Sequence, residues 1–231
     1  MSRAVWDLRY TLPPSYSRGN TQSYPISALY GNTPAEPLGP LVAPGDYEVR
    51  LTANGVTVRQ PLHVVMEPRV KTSPQGIAAQ RDLGLLISAG MTVSHTANEQ
   101  VAALRAALAE LKSPPEPAGA AIARAATFGG AAGGRGGRGG GGGGRGGGGA
   151  TANFMTLNGE FGSQMTNVEQ GDYAPTLAMQ ETYRDSCTRL ATAVSQWEEF
   201  KSKDLAALNS VLGAASVSVP PPVPAPPSCG K

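Results

Sequence analysis

The chain has 231 residues, with 30 Gly and 20 Pro gathered into clusters, and a formal net charge of +2. That charge is too small for a protein-wide basic field directed at nucleic acid or membrane. The Gly and Pro clusters offer no apolar surface to offset the entropy of ordering them, so the foldable part reduces to two modest units.

The first 72 residues read as a β module. Ala4, Trp6, Leu8 and Tyr10 alternate with Val5, Asp7 and Arg9, the period of two of a half-buried strand. A second short strand is predicted at 26–30, between Pro-rich loops. Tyr47, Val49 and Leu51 then alternate with Glu48, Arg50 and Thr52, and Asn54-Gly55 separates them from Val56, Val58, Leu62 and Val64. Asn-Gly between two such runs predicts a hairpin with a type I′ turn, which needs positive φ at both central residues. Four or five strands in so short a stretch fall below the roughly seven of a full Ig-type sandwich. With the first strand starting at Met1, the module reads as the incomplete tail end of something longer, the alternative being a smaller, self-sufficient sandwich.

Ser73-Pro74 predicts the start of a long helix, Ser capping and Pro in the first turn. Leu83, Leu86, Gly90, Val93, Ala97, Val101, Leu104, Leu108 and Leu111 form its apolar stripe, spaced mostly by three and four. Ser113-Pro114-Pro115 ends it. Residues 114–152 read as a low-complexity Gly/Arg linker, in which 16 of the 21 positions from 129 to 149 are Gly. Phe154, Leu157, Phe161, Met165 and Val168 predict a short helix. A second long helix follows from Thr176 to Leu212, with Tyr183, Cys187, Leu190, Val194, Trp197, Phe200, Leu205 and Leu208 on its stripe and Gly213 as its C-cap. Segment 153–213 therefore holds the short helix and the second long one. Residues 214–231, rich in Pro, read as a disordered tail.

The fold class expected is α+β: a short Ig-like antiparallel β-sandwich, then a long antiparallel helical hairpin or three-helix bundle interrupted by a disordered Gly-rich insert. The two long helices, matched in length, are expected to lie antiparallel, with the short one in a third position.

No residue pattern carries recognisable catalysis. Asp7, Glu48 and Arg50 read as a solvated sheet face. His63 and His95 have no partner at ligand spacing, so no metal or cofactor is expected. Cys187 and Cys229 are read as free thiols, because two cysteines make no framework. Arg135, Arg138 and Arg145 within the Gly run offer a weak, salt-sensitive contact to RNA, although no aromatic residue is interleaved. Trp6 and Tyr47 are candidate surface aromatics for carbohydrate stacking, with Trp6 more at home in a core. No apolar run is long enough for a membrane span. The N-terminus lacks the apolar region of a signal peptide, which places the chain as written in the cytoplasm.

Taken in order, VWDLRY (5–10), APGDYEVRLTANG (43–55), QPLHVVMEPRVKTSP (60–74), NFMTLNGEFGS (153–163) and YAPTLAMQETY (173–183) resemble the C-terminal region of large exported bacterial proteins with sortilin-type BNR-repeat β-propellers. Those proteins are often labelled glycosyl hydrolases. The Trp6-Asp7 and PGDYEVRL stretches also resemble hook-capping Ig-like modules. The resemblance implies an exported parent whose propeller would be this chain's partner and would hold any carbohydrate or hydrolytic site. The propeller and its Asp-box repeats are missing here, so no catalytic residue carries over, and the Gly-Arg insert has no counterpart in the pattern. The function expected is a non-catalytic structural or interaction module, the accessory part of such a protein. The alternatives are an RNA-binding protein using the Arg-Gly-Gly segment, or part of a glycoside hydrolase whose catalytic propeller is absent.

Overall fold

A computed structural model describes residues 5–16, 37–111, 116–129 and 153–230. Within them the protein is a mixed α and β structure: a two-stranded antiparallel sheet set on one end of a helical bundle.

Helix α1 (Pro74–Ala109) begins where Ser73 Oγ accepts the Gly76 N–H at 3.1 Å. Its buried line includes Leu83, Ile87, Met91, Ala97, Val101, Leu104 and Leu108. Helix α2 (Glu116–Phe128) follows, and Ala121, Ala125 and Phe128 lie in the same core. This departs from the linker expected over 114–152. The three residues recur at spacings of four and three, so even alanines form a narrow apolar edge that a neighbouring helix can approach closely.

Helix α3 (Phe154–Val168) is capped by Asn153, whose Oδ1 accepts the Thr156 N–H at 2.7 Å. Thr176 Oγ1 caps α4 (Leu177–Phe200) through the Met179 N–H at 3.2 Å. One π turn, Lys201–Leu205, then leads into α5 (Ala206–Leu212). The single long helix expected from Thr176 to Leu212 is thus widened once. That extra residue per turn turns both Lys201 and Leu205 inward, where both are buried.

Cross-contacts fix the directions. Gln80 Nε2 donates to Val168 O at 2.6 Å near one end of α1, and Asn158 Nδ2 donates to Met91 O at 2.9 Å further along. Rising numbers in α1 therefore meet falling numbers in α3. Gln164 Nε2 meets Ser186 Oγ at 2.8 Å and Arg189 pairs with Glu160, so α3 and α4 are antiparallel as well. Consequently α1 and α4 run parallel, with Trp197 Nε1 donating to Gln100 Oε1 at 3.1 Å. The hairpin of antiparallel long helices is corrected to an up-down-up bundle. Its middle leg is α2 followed by α3: Phe128 at the end of α2 stacks on Phe154 at the start of α3, ring centroids 6.4 Å apart.

The core is fullest around Trp197, whose ring stacks on Phe200 at 5.4 Å and meets the edge of Phe128 at 5.3 Å. Ser94 and Asn158 form a buried polar seam between α1 and α3, and each is hydrogen-bonded. Asn158 also holds the N-terminal segment, accepting the Tyr16 N–H at 3.0 Å and donating to Pro14 O at 3.1 Å. The Asn158 amide, satisfied on both its oxygen and its nitrogen, fixes one arrangement, because each lost partner costs desolvation.

The tail expected to be disordered lies instead along α4 and α5, with Val223 buried. Cys229, within it, is joined to Cys187 by a disulfide. The free-thiol reading is therefore corrected. The physical reason is that the Pro run is stiff, so it can carry Cys229 back along the helix to the turn that holds Cys187.

Candidate interaction surface

Strands β1 (Gly45–Ala53) and β2 (Val56–Val64) pair antiparallel with Leu51 opposite Val58 and Ala53 opposite Val56. Asn54 and Gly55 take φ of 50° and 77°, as the type I′ expectation requires. Alternation places Tyr47, Val49, Leu51 and Ala53 on one face with Leu62, Val58 and Val56. The other face is polar: Asp46 meets His63 at 2.6 Å, Glu48 meets Arg59 at 2.5 Å, and Thr52 meets Thr57 at 2.9 Å.

Among the described residues nothing covers the apolar face. Val49 is 50 % exposed, Leu51 61 %, Val56 65 % and Val58 52 %. Among the described residues no second sheet faces it, so the Ig-like sandwich is not formed there. The expected first strand reduces to an isolated bridge, Arg9 to Leu41. Leu8 has φ of 61°, which breaks the alternation of residues 4–10 at its centre because an extended strand needs negative φ. Residues 26–30, the second expected strand, lie outside the described residues.

The base of the hairpin is pinned. Tyr47 OH donates to Ala43 O at 2.6 Å, and Trp6 stands edge-on to Tyr47 with centroids 5.8 Å apart. Arg9 Nη1 donates to Gly39 O at 2.6 Å and to Glu169 Oε2 at 2.7 Å, and that carboxylate also accepts the Leu41 N–H at 3.2 Å. Side-chain exposure at this ion pair is only 16 % and 10 %. It joins the β base to the end of α3. Glu169→Gln should lower stability by about 1 kcal/mol, since a mostly buried guanidinium loses its counter-charge but keeps one carbonyl. Urea unfolding of the two proteins checks this, and no difference would mean that the pair only decorates the junction.

The residues singled out for chemistry do not converge. Asp7 Oδ1 accepts the Arg9 N–H at 3.2 Å within a turn, Glu48 is paired with Arg59, and Arg50 stands opposite Arg59 in the ladder. His95 stacks on Tyr16 at 4.5 Å, far from His63 in the hairpin. Burial, reinforced by the hydrogen bond to Glu99, pushes the Tyr16 phenol up to about 12. Burial alone does the same to Tyr183, also to about 12. Both stay protonated at neutral pH and serve as donors. Trp6 and Tyr47 are brought together, but as an edge-on pair; Trp6 is 43 % exposed and not core. Arg135, Arg138 and Arg145 lie outside the described residues.

Among the described residues no group of three or more His, Cys, Asp or Glu side chains is placed to hold a metal ion. An apolar groove of about 530 Å³ opens between α1 and α2, lined by Val101, Ala102, Ala106, Ile122 and Met155 among others. No described helix is long and apolar enough to cross a membrane. No family model, curated protein or solved structure matches the chain.

Proposed function

We propose that this chain is a non-catalytic interaction module that works outside the cytoplasm and docks through the apolar face of its hairpin. One observation carries the reading: a hairpin pinned at its base leaves Val49, Leu51, Val56 and Val58 uncovered. An isolated two-stranded hairpin is marginal in water, and a contiguous exposed apolar face marks an interaction site. The partner that fits is another β-sheet packing face to face, with its side chains interdigitating at about 10 Å sheet spacing. Such a sheet would complete an Ig-like sandwich. The resemblance to the C-terminal region of exported BNR-repeat propeller proteins supports a propeller-bearing partner as its source.

The Cys187–Cys229 bond supports export over the cytoplasm, because structural disulfides persist in oxidising compartments. The dispersed carboxylates and histidines support a role without bond-making chemistry.

The test uses position-specific photo-crosslinkers in the cell that makes the protein. Crosslinkers at Val49 and Leu51 should give one discrete adduct, and crosslinkers at Thr52 and Thr57 on the opposite face should give none. The double variant Leu51→Glu/Val58→Lys, whose opposite charges face each other across the ladder, should abolish the adduct made from Val49 while changing stability by no more than about 1 kcal/mol. Adducts from both faces alike, or from neither, would end this reading.

A further inference from the structure

Between Val219 and Pro227 the chain reads VPPPVPAPP, with proline at 220, 221, 222, 224, 226 and 227. Each ring holds φ near about −65°. Each residue ahead of a proline is kept out of the helical region, which restricts 219, 220, 221, 223, 225 and 226 as well. The backbone therefore has almost no alternative to a polyproline II helix of three residues per turn.

Burial follows that period. Val217, Pro220, Val223, Pro226 and Cys229 are turned towards the bundle and are buried or half-buried. Of the residues between them only Pro227 is also half-buried, and the rest are exposed. The inner edge of a left-handed strand thus lies along α4, the π turn and α5.

The surface beneath is matched to such a strand atom by atom. Lys201, 4 % exposed, donates from Nζ to Pro221 O at 2.7 Å and to Pro220 O at 3.4 Å. A proline pair has carbonyls but no N–H, and a cation is what the groove places there. Val223 and Val217 do have an N–H, and the groove places an acceptor at each. Glu198 Oε1 accepts from Val223 at 2.9 Å, and Asn209 Oδ1 accepts from Val217 at 2.8 Å. Asn209 Nδ2 returns a bond to Val217 O at 2.8 Å, and Tyr183 OH donates to Ser228 O at 2.8 Å. Glu198 also pairs with Lys201 at 2.9 Å, and Trp197 lies beneath the ammonium at 5.8 Å. The lengths agree. Val217 to Ser228 spans about 34 Å at the polyproline rise, and Tyr183 to Asn209 spans about 39 Å at the helical rise.

We propose that this face is a binding groove for proline-rich strands, occupied in cis by residues 217–229 and locked shut by the Cys187–Cys229 bond. Its ligand class is a polyproline II segment of another protein with apolar residues three apart. A dithiol reductant opens the lock: it leaves as a disulfide, its two electrons and two protons converting Cys187 and Cys229 to thiols. The strap then remains a tethered competitor, held at an effective concentration in the millimolar range. The groove lies on α4 and α5, and the proposal is independent of the hairpin face.

The full-length variant Cys229→Ser/Val223→Asp removes the lock and spoils the strap's buried anchor. A fluorescein-labelled synthetic peptide carrying the unaltered sequence of residues 216–228 is the probe. The variant should bind it saturably, and the oxidised parent should not bind it. Adding Lys201→Met should weaken binding about tenfold, the scale of a hydrogen bond to a charged group. A peptide with aspartate at the positions of Val217 and Val223 should fail to bind. A folded variant that ignores the probe, or an oxidised parent that binds it equally, overturns the proposal. If the variant loses its helical circular dichroism, the parent itself decides by hydrogen exchange. Reduction should speed exchange at the Val217 and Val223 amides, and millimolar unlabelled peptide should slow it again; amides indifferent to reduction also overturn the proposal.

Discussion

Replacing Cys187 and Cys229 together with alanine is expected to lower the unfolding free energy by about 2–4 kcal/mol. The bond joins residues 42 apart in sequence. Chain-entropy bookkeeping for a loop of that size gives roughly 4 kcal/mol, provided the native strap stays seated. Any freedom the unlocked strap regains in the folded state reduces that loss, which sets the lower figure. Alanine is the right replacement at position 187, because that site is fully buried and a serine hydroxyl there would add a desolvation cost of its own. Denaturant unfolding should show the oxidised parent more stable than the variant and the reduced parent close to it. A difference that vanishes would mean that the bond constrains neither the unfolded chain nor the native strap.

Gly90→Ala is expected to destabilise the bundle by about 2 kcal/mol, against the usual sign for a helix interior. Helical propensity alone favours alanine by about 1 kcal/mol. At Gly90, however, an added Cβ would stand 2.8 Å from Phe161 Cζ and 2.9 and 3.0 Å from its two Cε atoms. Phe161 is fully buried, so its ring has no open side to move into, and forcing extra volume into a packed core costs about 1–3 kcal/mol before any compensation. The clash outweighs the propensity. Gly159→Ala is the control: the space beside it is empty within 4 Å, and it should stabilise by up to about 1 kcal/mol. Thermal unfolding of the two variants should therefore shift in opposite directions. Shifts of the same sign would show that Phe161 does not set the approach of α3 to α1.

The same glycine shows what the sequence could and could not reveal. Its place on the apolar stripe fitted a close approach or a kink equally, and nothing in the stripe named α3 as the neighbour. Ser73-Pro74, Thr176, Asn54-Gly55 and Gly213 were legible because each acts through its own few residues. The direction of α4 relative to α1 was not, because it depended on α2. There the core-facing residues are mostly alanine, whose small side chains leave a faint periodic signal beside a long Gly run. Leu8 likewise hid a positive φ inside a regular alternation.

The interaction face was half legible. The alternation of Val49 and Leu51 against Glu48 and Arg50 announced an amphipathic hairpin, but no sequence pattern states whether the apolar side meets a partner within the same chain. The strap was missed for a different reason. Composition marked residues 214–231 as poor in core-forming side chains, which holds for most of them. Yet rigidity and one buried valine are enough to seat a strand whose backbone is already arranged. The signal that could have found it was the three-residue recurrence of Val217, Pro220, Val223 and Pro226, ending at a cysteine.

The aromatic contact between Phe128 and Phe154 has a consequence for the middle leg of the bundle. The polypeptide departs from that leg and rejoins it at one spot, with the two rings 6.4 Å apart. The closing entropy of a flexible segment joining two such ends grows only with the logarithm of its length, so a twofold extension costs about 0.6 kcal/mol. A flexible segment inserted between the two rings is therefore expected to cost the bundle little. Grafting such a segment there should leave the packing of the three legs as it is.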